Sequence, residues 1–286
     1  MNRRDFLWGA PALVAGAARG QDSSPAPVIT QYEAASGGRI GFYARNIRTR
    51  QTMSWRSDER FVMCSTFKAS LASLILHRVD RHQDDLEALI AYGPSDMQDW
   101  YAPVAKANLA KGVMTVQEMC AAAVQHSDNT CASLLLTRVG GPSALTAFWR
   151  RLGDVTTRLD DAEPLLNRTP LGGVRDTTTP RAMAEILQKL VLGDVLSAGS
   201  RRTLVAWLVG NTTGDNRLRA GLPTTWITGD KTGNNGKDAA GDIAVTWGTP
   251  TAPIIIAAYT RGGMPTAAQF EAVFRDIGRL VSANLA

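Results

Sequence analysis

The 286-residue sequence has few of the residue types that build redox and metal centres. It contains only three histidines, and they do not show the close spacing that a zinc site needs. Its three cysteines cannot all pair with one another. We expect all of them to be buried thiols that pack as small apolar residues: Cys64, Cys120 and Cys131. The sequence predicts neither a metal site nor a bound cofactor.

Lysine is also scarce, since only six of the 31 basic residues are lysine. A lysine at a chemically meaningful spacing is therefore more informative here than in most proteins. The formal net charge is +5, and it falls to about +3 without the first twenty residues. The remaining basic residues are scattered and are not interleaved with aromatic residues, so nucleic-acid binding is not expected.

Long apolar runs are absent as well. The apolar stretch from Trp8 to Ala18 is shorter than the about 20 residues of a transmembrane helix. It follows the paired Arg3 and Arg4 and ends in small residues, a pattern typical of an export signal. Paired arginines before Phe-Leu favour a twin-arginine signal over an ordinary secretory one. We expect residues 1–20 to be removed, residues 21–30 to form a flexible leader, and the mature protein to be periplasmic or secreted by a bacterium, without stable membrane association.

The hydrophobic pattern changes twice along the chain. Residues 39–46 and 51–55 alternate like strands, and β-rich runs return at 226–230, 243–247 and 253–260. Between them, a period near 3.6 predicts helices over residues 65–79, 115–126, 129–139, 143–152, 180–192 and 197–209, and a last helix follows at 266–284. This order predicts an α/β fold, in which residues 21–61 and 212–286 form an antiparallel sheet flanked by helices. An all-helical domain of residues 62–211 is inserted, and the cleft between the two is the expected site.

Ser65 and Lys68 form the first candidate catalytic pair. A serine at the start of a helix lies near the positive end of the helix dipole, and a lysine three residues on lies on the same face. If its pKa is depressed by a crowded positive site, that lysine can accept the serine proton. By itself the pattern favours a helix cap with a solvent-exposed lysine.

Three further polar motifs follow in the sequence. Ser127-Asp128-Asn129 interrupts two predicted helices, where a hydroxyl and an amide can project into a cleft. Lys231-Thr232-Gly233 ends a predicted strand, and glycine lets the backbone approach a neighbour closely. In the loop Glu163-Pro164-Leu165-Leu166-Asn167, a carboxylate and an amide four residues apart could hold a water molecule between them. Together the four motifs are much more specific than any one of them.

This set of motifs resembles the class A serine β-lactamases, which carry Ser-x-x-Lys, Ser-Asp-Asn and Lys-Thr-Gly in this order. The resemblance extends over nearly all of the expected mature chain. It implies the fold shared by serine β-lactamases and penicillin-binding transpeptidases, and hydrolysis of penicillins and cephalosporins through an acyl-enzyme, which confers antibiotic resistance. It also implies a monomer whose partner is the small β-lactam substrate.

The resemblance assigns a role to each catalytic residue. Ser65 would attack the lactam carbonyl, and Lys68 and Glu163, directly or through a water, would share the role of base in acylation. Ser127 would pass a proton to the leaving nitrogen. Glu163, with Asn167, would then activate the water that hydrolyses the ester.

The resemblance also implies a set of substrate-binding residues. Backbone N–H groups of Ser65 and Asn234 would form the oxyanion hole, beside Gly233. The other binding residues would be Asn129 for the acyl side-chain amide, Tyr101 for the wall at the mouth, and Lys231, Thr232 and Arg217 for the substrate carboxylate.

The sequence departs from the family pattern at three places. Many relatives pair an arginine with the aspartate at position 176, but here the arginine's position is Asp161. We therefore expect either that the two carboxylates lie apart or that Arg158 or Arg175 lies between or beside them, in a loop that is anchored differently and is more mobile. Asn235 stands where carbapenem-specialised relatives place the cysteine that pairs with position 64, so that disulfide cannot form.

The third departure concerns the arginine that many relatives use to bind the substrate carboxylate. That strand position is Ala240 in this sequence, and Arg217 is the expected substitute, although a surface loop arginine is the alternative interpretation. The bond between Glu163 and Pro164 is a candidate cis peptide.

Two other functions use related parts. D,D-peptidases share the serine, lysine and Lys-Thr-Gly groups but lack the pair formed by Glu163 and Asn167, so they release β-lactam adducts very slowly. A β-lactam sensor domain would be acylated once and would signal across a membrane, which the expected export signal and the absence of a membrane helix disfavour. A metal-dependent lactamase is disfavoured by the lack of clustered histidines.

Overall fold

A computed structural model describes residues 26–286, so the expected signal peptide lies outside the described residues. Their helices are α1 (Pro27–Ser36), α2 (Phe67–Val79), α3 (Pro103–Ala107), α4 (Val116–Gln125), α5 (Asn129–Val139), α6 (Pro142–Arg151), α7 (Pro180–Leu192), α8 (Ala198–Val209), α9 (Leu218–Gly221) and α10 (Ala267–Leu285). Their strands are β1 (Arg39–Asn46), β2 (Thr52–Trp55), β3 (Phe61–Val62), β4 (Leu89–Ala91), β5 (Val113–Thr115), β6 (Thr177–Thr178), β7 (Ile227–Asn234), β8 (Ala239–Trp247) and β9 (Pro253–Arg261).

Five strands form one antiparallel sheet in the order β2-β1-β9-β8-β7, with helices on both faces. The central strand β9 is buried along its whole length because successive side chains enter different cores. Ile254 and Ile256 pack with α1 and α10, whereas Ile255 and Ala257 pack on the opposite face, which α7 covers. The predicted α/β fold with an antiparallel sheet is confirmed.

Helix α2 runs through the centre of the helical layer. Every residue from Phe67 to Leu76 is buried, and the helix contacts α4, α5, α6 and α8. A helix that is apolar on all sides belongs inside a protein, and this position places Lys68 in the interior. Helices α2 to α8 fall within residues 62–211, but these residues also include the short strands β4, β5 and β6, which the sequence analysis did not predict. Strands of two or three residues are too short to show a periodic pattern.

The leader expected over residues 21–30 is wrong in its second half, because α1 begins at Pro27. Proline is well suited to the first helical position, since it has no N–H to leave unpaired there. Ile29 and Tyr32 bury one face of this helix against α10. Among residues 26–286, no helix has the length and apolar character needed to cross a membrane.

Candidate active site

Ser65 lies in a short 3-10 turn, Cys64–Thr66, that leads directly into α2. Cys64 has a positive φ of 46°, an unusual conformation for a residue with a side chain. The end of β7 packs against this turn at Gly233, where an added Cβ would lie 2.9 Å from the backbone nitrogen of Ser65 and 2.8 Å from the carbonyl oxygen of Met63. Only glycine allows this approach, and it brings the backbone of β7 to the side of Ser65.

Lys68 is fully buried one helical turn after Ser65. Its Nζ donates to the carbonyl oxygen of Ser127 at 2.8 Å and to Oδ1 of Asn129 at 2.5 Å. The same nitrogen lies 3.8 Å from Oε1 of Glu163. Burial lowers the pKa of Lys68 to about 8, although the charge of Glu163 acts in the opposite direction. Lys68 is therefore close to losing its proton near neutral pH.

Glu163 faces Lys68 from the loop between α6 and α7, and its bond to Pro164 is cis, as predicted. Burial raises the pKa of Glu163, and the charge of Lys68 partly offsets this. Nδ2 of Asn167 donates to Oε2 of Glu163 at 2.7 Å. Oε1 of Glu163 and Oδ1 of Asn167 are both buried and accept no hydrogen bond from residues 26–286. Two buried acceptors on hydrogen-bonded side chains that lack a protein donor suit a water molecule that donates to both.

The loop that carries Glu163 is anchored by Asp176. This carboxylate is buried, and its Oδ1 accepts the backbone N–H groups of Asp160 at 2.8 Å and of Asp161 at 2.9 Å. Asp161 points away and binds Arg175, with Oδ1 2.6 Å from Nη2. Arg158 binds Asp160 instead. Of the two arginines that the sequence offered, Arg175 binds Asp161, but no arginine among residues 26–286 forms an ion pair with Asp176. Burial raises the pKa of Asp176 to about 6.

Ser127 and Asn129 lie between α4 and α5 and are positioned by Asp128. Ser127 has a positive φ of 55°, which places it in a strained turn. Asp128 caps α5 through Oδ1, and its Oδ2 accepts the backbone N–H groups of Val104 and Ala105, both at 2.9 Å. The sequence analysis did not assign this role to Asp128, although its place before a predicted helix was a capping signal.

Asn129 links this turn to the segment that precedes α3. Its Nδ2 donates to the carbonyl oxygen of Trp100 at 2.6 Å, and its backbone N–H donates to the carbonyl oxygen of Tyr101 at 3.0 Å. Since its Oδ1 accepts from Lys68, the Asn129 side chain bridges the buried lysine and the mouth of the cleft.

The positive groups lie on and beside β7. Lys231 is fully buried, which lowers its pKa well below the ordinary value, and its Nζ donates to the carbonyl oxygen of Thr232 at 2.8 Å. Oγ1 of Thr232 lies 2.5 Å from Oγ1 of Thr213. Nη1 of Arg217 donates to the carbonyl oxygens of Gly233 at 2.8 Å and Gly241 at 2.9 Å. Arg217 thus comes from the segment before α9 and reaches the edge of β7 and β8, next to Ala240, rather than lying free on the surface.

A cleft of about 290 Å³ collects most of the predicted residues. Eight of them line it: Ser65, Tyr101, Ser127, Asn129, Arg217, Thr232, Gly233 and Asn234. The other four do not line the cleft: Lys68, Glu163, Asn167 and Lys231. Trp100, Thr213 and Gly236 also line the cleft, and the sequence analysis missed them. Trp100 directly precedes the predicted Tyr101 and Gly236 lies two residues after the predicted Asn234, but no sequence signal pointed to Thr213.

The three cysteines are unpaired and buried, as predicted. Burial raises the pKa of Cys64 to about 12, so its thiol stays protonated beside Ser65. Asn235 holds the turn between β7 and β8 without a covalent bond. Its Oδ1 accepts the backbone N–H groups of Lys237, Asp238 and Ala239 at 2.9 to 3.0 Å.

Ser65 lines a cleft beside an antiparallel sheet, and the buried Lys68 follows it by one helical turn. This arrangement is typical of serine hydrolases that transfer an acyl group to the serine. The family model of the β-lactamase enzyme family matches residues 25–285. The chain is 46% identical to the carbapenem-hydrolysing β-lactamase KPC of Klebsiella oxytoca over 87% of this chain and 85% of that protein. It is 40% identical to β-lactamase L2 of Stenotrophomonas maltophilia over 97% of each chain.

Solved structures of class A β-lactamases are also similar to this chain. The reconstructed class A β-lactamase of the last common ancestor of Gram-negative bacteria superposes with a TM-score of 0.87 at 49% identity, over 90% of this chain and 98% of that one. The class A β-lactamase PenP of Rhodopseudomonas palustris superposes with a TM-score of 0.85 at 47% identity, over 89% of this chain and 97% of that one. The chain belongs to the class A serine β-lactamase family.

Proposed function

We propose that this chain hydrolyses penicillins and cephalosporins through an acyl-enzyme on Ser65 and thereby confers resistance to them. The observation that carries the proposal is the buried group formed by Lys68, Glu163 and Asn167 behind Ser65. It supplies a base for acylation and a place for the water that completes the reaction.

Acylation begins when Oγ of Ser65 attacks the lactam carbonyl carbon and loses its proton. Lys68 accepts this proton directly, since its pKa of about 8 leaves a useful neutral fraction, or Glu163 accepts it through a water. Backbone N–H groups of Ser65 and Asn234 stabilise the negative oxygen, a device worth about 3–4 kcal/mol per donor. The carbon–nitrogen bond then breaks. Ser127 delivers its proton to the nitrogen and regains one from Lys68 or Glu163, whichever took the proton from Ser65.

Deacylation needs a second nucleophile on the ester. A water held by Glu163 and Asn167 transfers a proton to the carboxylate of Glu163 and attacks the ester carbonyl. The bond to Oγ breaks, Glu163 returns the proton to Oγ of Ser65, and the opened drug leaves as an acid. The raised pKa of Glu163 makes it a stronger base than an ordinary carboxylate.

Substrate recognition uses the remaining residues of the cleft. The substrate carboxylate binds near Thr232 under the positive field of Lys231 and Arg217. Asn129 binds the acyl side-chain amide, Gly233 allows close approach of β7, and Tyr101 forms a wall at the mouth. All of these groups come from one chain, which supports action as a monomer. The cleft lies where the proposed sheet domain, residues 21–61 and 212–286, meets the proposed helical domain, residues 62–211.

We also propose that the protein is exported through the twin-arginine route and acts in the periplasm or outside the cell. The paired Arg3 and Arg4 before an apolar segment support this. Unpaired buried cysteines are consistent with it, because this route carries proteins that have already folded and buried their thiols.

Steady-state turnover of a chromogenic cephalosporin by the purified protein tests the proposed reaction. We expect many turnovers per enzyme molecule and none for Ser65→Ala. A single stoichiometric burst without a steady state would instead favour a D,D-peptidase or a sensor, because neither releases the adduct quickly.

A further inference from the structure

A second groove lies at the opposite end of α2 from Ser65, and its rim is strongly basic. It has a volume of about 520 Å³ and lies between α2, α5 and α6. Arg78, Arg81 and Arg151 contribute to its rim, together with His77. Nine residues of helix separate His77 from Lys68, or about 14 Å along the axis, so the groove is distinct from the catalytic cleft.

Two of the three guanidinium groups have no carboxylate partner among residues 26–286. Arg78 lies 3.8 Å from the carboxylate of Asp84. Nη1 of Arg81 lies 2.9 Å from Nδ1 of His77 and donates to the carbonyl oxygen of His77 at 3.4 Å, and Arg151 lies over the ring of Phe148 at 5.8 Å. Unpaired arginines that share a concave surface bind anions well, since guanidinium donors form two parallel hydrogen bonds with a carboxylate or phosphate.

The acidic residues nearby are already engaged. Asp84 is held by Arg138, with Oδ1 2.6 Å from Nη2. Asp80 accepts the backbone N–H of Ser197 at 2.7 Å and the hydroxyl of Ser200 at 2.6 Å. Neither carboxylate is free to turn toward Arg81 or Arg151, so the positive charge of the rim is not compensated from within these residues.

The contact between Arg81 and His77 is easily exchanged. Nδ1 of His77 lies 2.9 Å from Nη1 of Arg81 and 3.1 Å from the carbonyl oxygen of Val195. One ring nitrogen cannot accept from the first and donate to the second at the same time. If an anion binds Arg81, Nδ1 of His77 is left with the bond to Val195, and no buried polar group loses its partner.

The floor of the groove is apolar. Leu74, Val139, Ala144 and Ala147 form it, and Leu74 and Val139 are buried parts of the main core. Apolar side chains form no hydrogen bonds or ion pairs with an inorganic ion, but a short hydrocarbon group can bury its surface against them.

We propose that this groove binds a small amphiphilic anion. Its carboxylate or phosphate lies between Arg81 and Arg151, and its apolar part lies on Leu74 and Val139.

Binding of octanoate, measured by calorimetry and by NMR of His77, tests the proposal. We expect one octanoate per chain, and at least tenfold weaker binding of octanol, which lacks the charge, and of sulfate, which lacks the apolar part. The pKa of His77 is lowered by burial and further by Arg81 and Arg151, whereas the hydrogen bond to the carbonyl oxygen of Val195 and the charge of Asp80 act in the opposite direction. A bound anion offsets the two guanidinium charges, so octanoate is expected to raise this pKa.

Variants separate this groove from other places where octanoate could bind. We expect the double variant Arg81→Ala/Arg151→Ala to bind octanoate at least tenfold more weakly than the unchanged protein. Arg202→Ala, which removes an exposed arginine of α8 outside the groove, is expected to bind it equally well. Unchanged binding by the double variant would overturn the proposal. So would octanoate that competes with the chromogenic cephalosporin, because it would then occupy the catalytic cleft.

Discussion

Asp176 offers a sharp test of how the Glu163 loop is held. Asp176→Ala removes the acceptor of the backbone N–H groups of Asp160 and Asp161. These two N–H groups are only partly buried, so the loss of each hydrogen bond lowers the free energy of unfolding by about 1 kcal/mol, at the low end of the usual range. Asp176 also has a positive φ of 54°, a conformation that costs alanine about 1 kcal/mol more. The free energy of unfolding is therefore expected to fall by about 3 kcal/mol, which lowers Tm by roughly 6–12 °C.

Asp176→Asn is the matched control. Asparagine keeps one acceptor oxygen and tolerates positive φ, so we expect a loss within about 1 kcal/mol. Because the pKa of Asp176 is raised to about 6, the folded protein holds this proton more tightly than the unfolded chain. The tighter binding of this proton adds to the free energy of unfolding in full below about pH 4, and this addition is lost as the pH rises through 6. The stability of the Asp176→Asn variant is expected not to show this dependence on pH. Equal stability of the two variants by denaturant unfolding would refute the anchoring role.

Three further predictions concern the catalytic cleft. Gly233→Ala places a Cβ 2.8–2.9 Å from the turn that carries Ser65, so kcat/KM should fall more than tenfold, whereas Gly199→Ala, with no atom closer than 3.8 Å, should leave it unchanged. Arg217→Ala should reduce kcat/KM about 10- to 100-fold for a penicillin but much less for its methyl ester, and equal losses would exclude a role in carboxylate binding. Glu163→Gln removes a charge that raises the pKa of Lys68, so that pKa should fall below about 8. If Lys68 is the base, the pH at which acylation reaches half its maximum, measured by stopped flow, should fall with it, and a shift to higher pH would contradict this.

The regular parts of the fold were predictable from local pattern. Helices α5 and α7 begin and end where the 3.6-residue period predicted, and β1 matches its alternating run. The two helices bury residues at the helical period, so the sequence carries the signal, whereas β1 is buried on both faces along most of its length. Helix α1, Pro27–Ser36, was not predicted at all, because its proline was assigned to a leader rather than to the first position of a helix.

The candidate site was predictable where its residues belong to compact motifs. Ser65 with Lys68 and Glu163 with Asn167 are near neighbours in the sequence, so their spacing shows which side chains can meet. Thr213 reaches Thr232 only because the segment before α9 folds back onto β7. No local sequence pattern predicts a contact of this kind.

The loop anchor was predictable only as a set of alternatives. Two carboxylates in place of an ion pair had either to lie apart or to have an arginine near them, and the sequence offered Arg158 and Arg175. The choice depends on the buried Asp176, which fixes the backbone of Asp161 and turns its side chain outward to Arg175.

The central claim is that Glu163 and Asn167 turn a trapping reaction into a catalytic one. Intact-protein mass spectrometry of Glu163→Ala mixed with a penicillin tests it most directly. We predict a long-lived mass increase equal to one whole penicillin, located on Ser65 by peptide mapping, while the unchanged protein hydrolyses the drug and shows no lasting adduct. Rapid turnover by Glu163→Ala, or an adduct on any residue other than Ser65, would contradict the account.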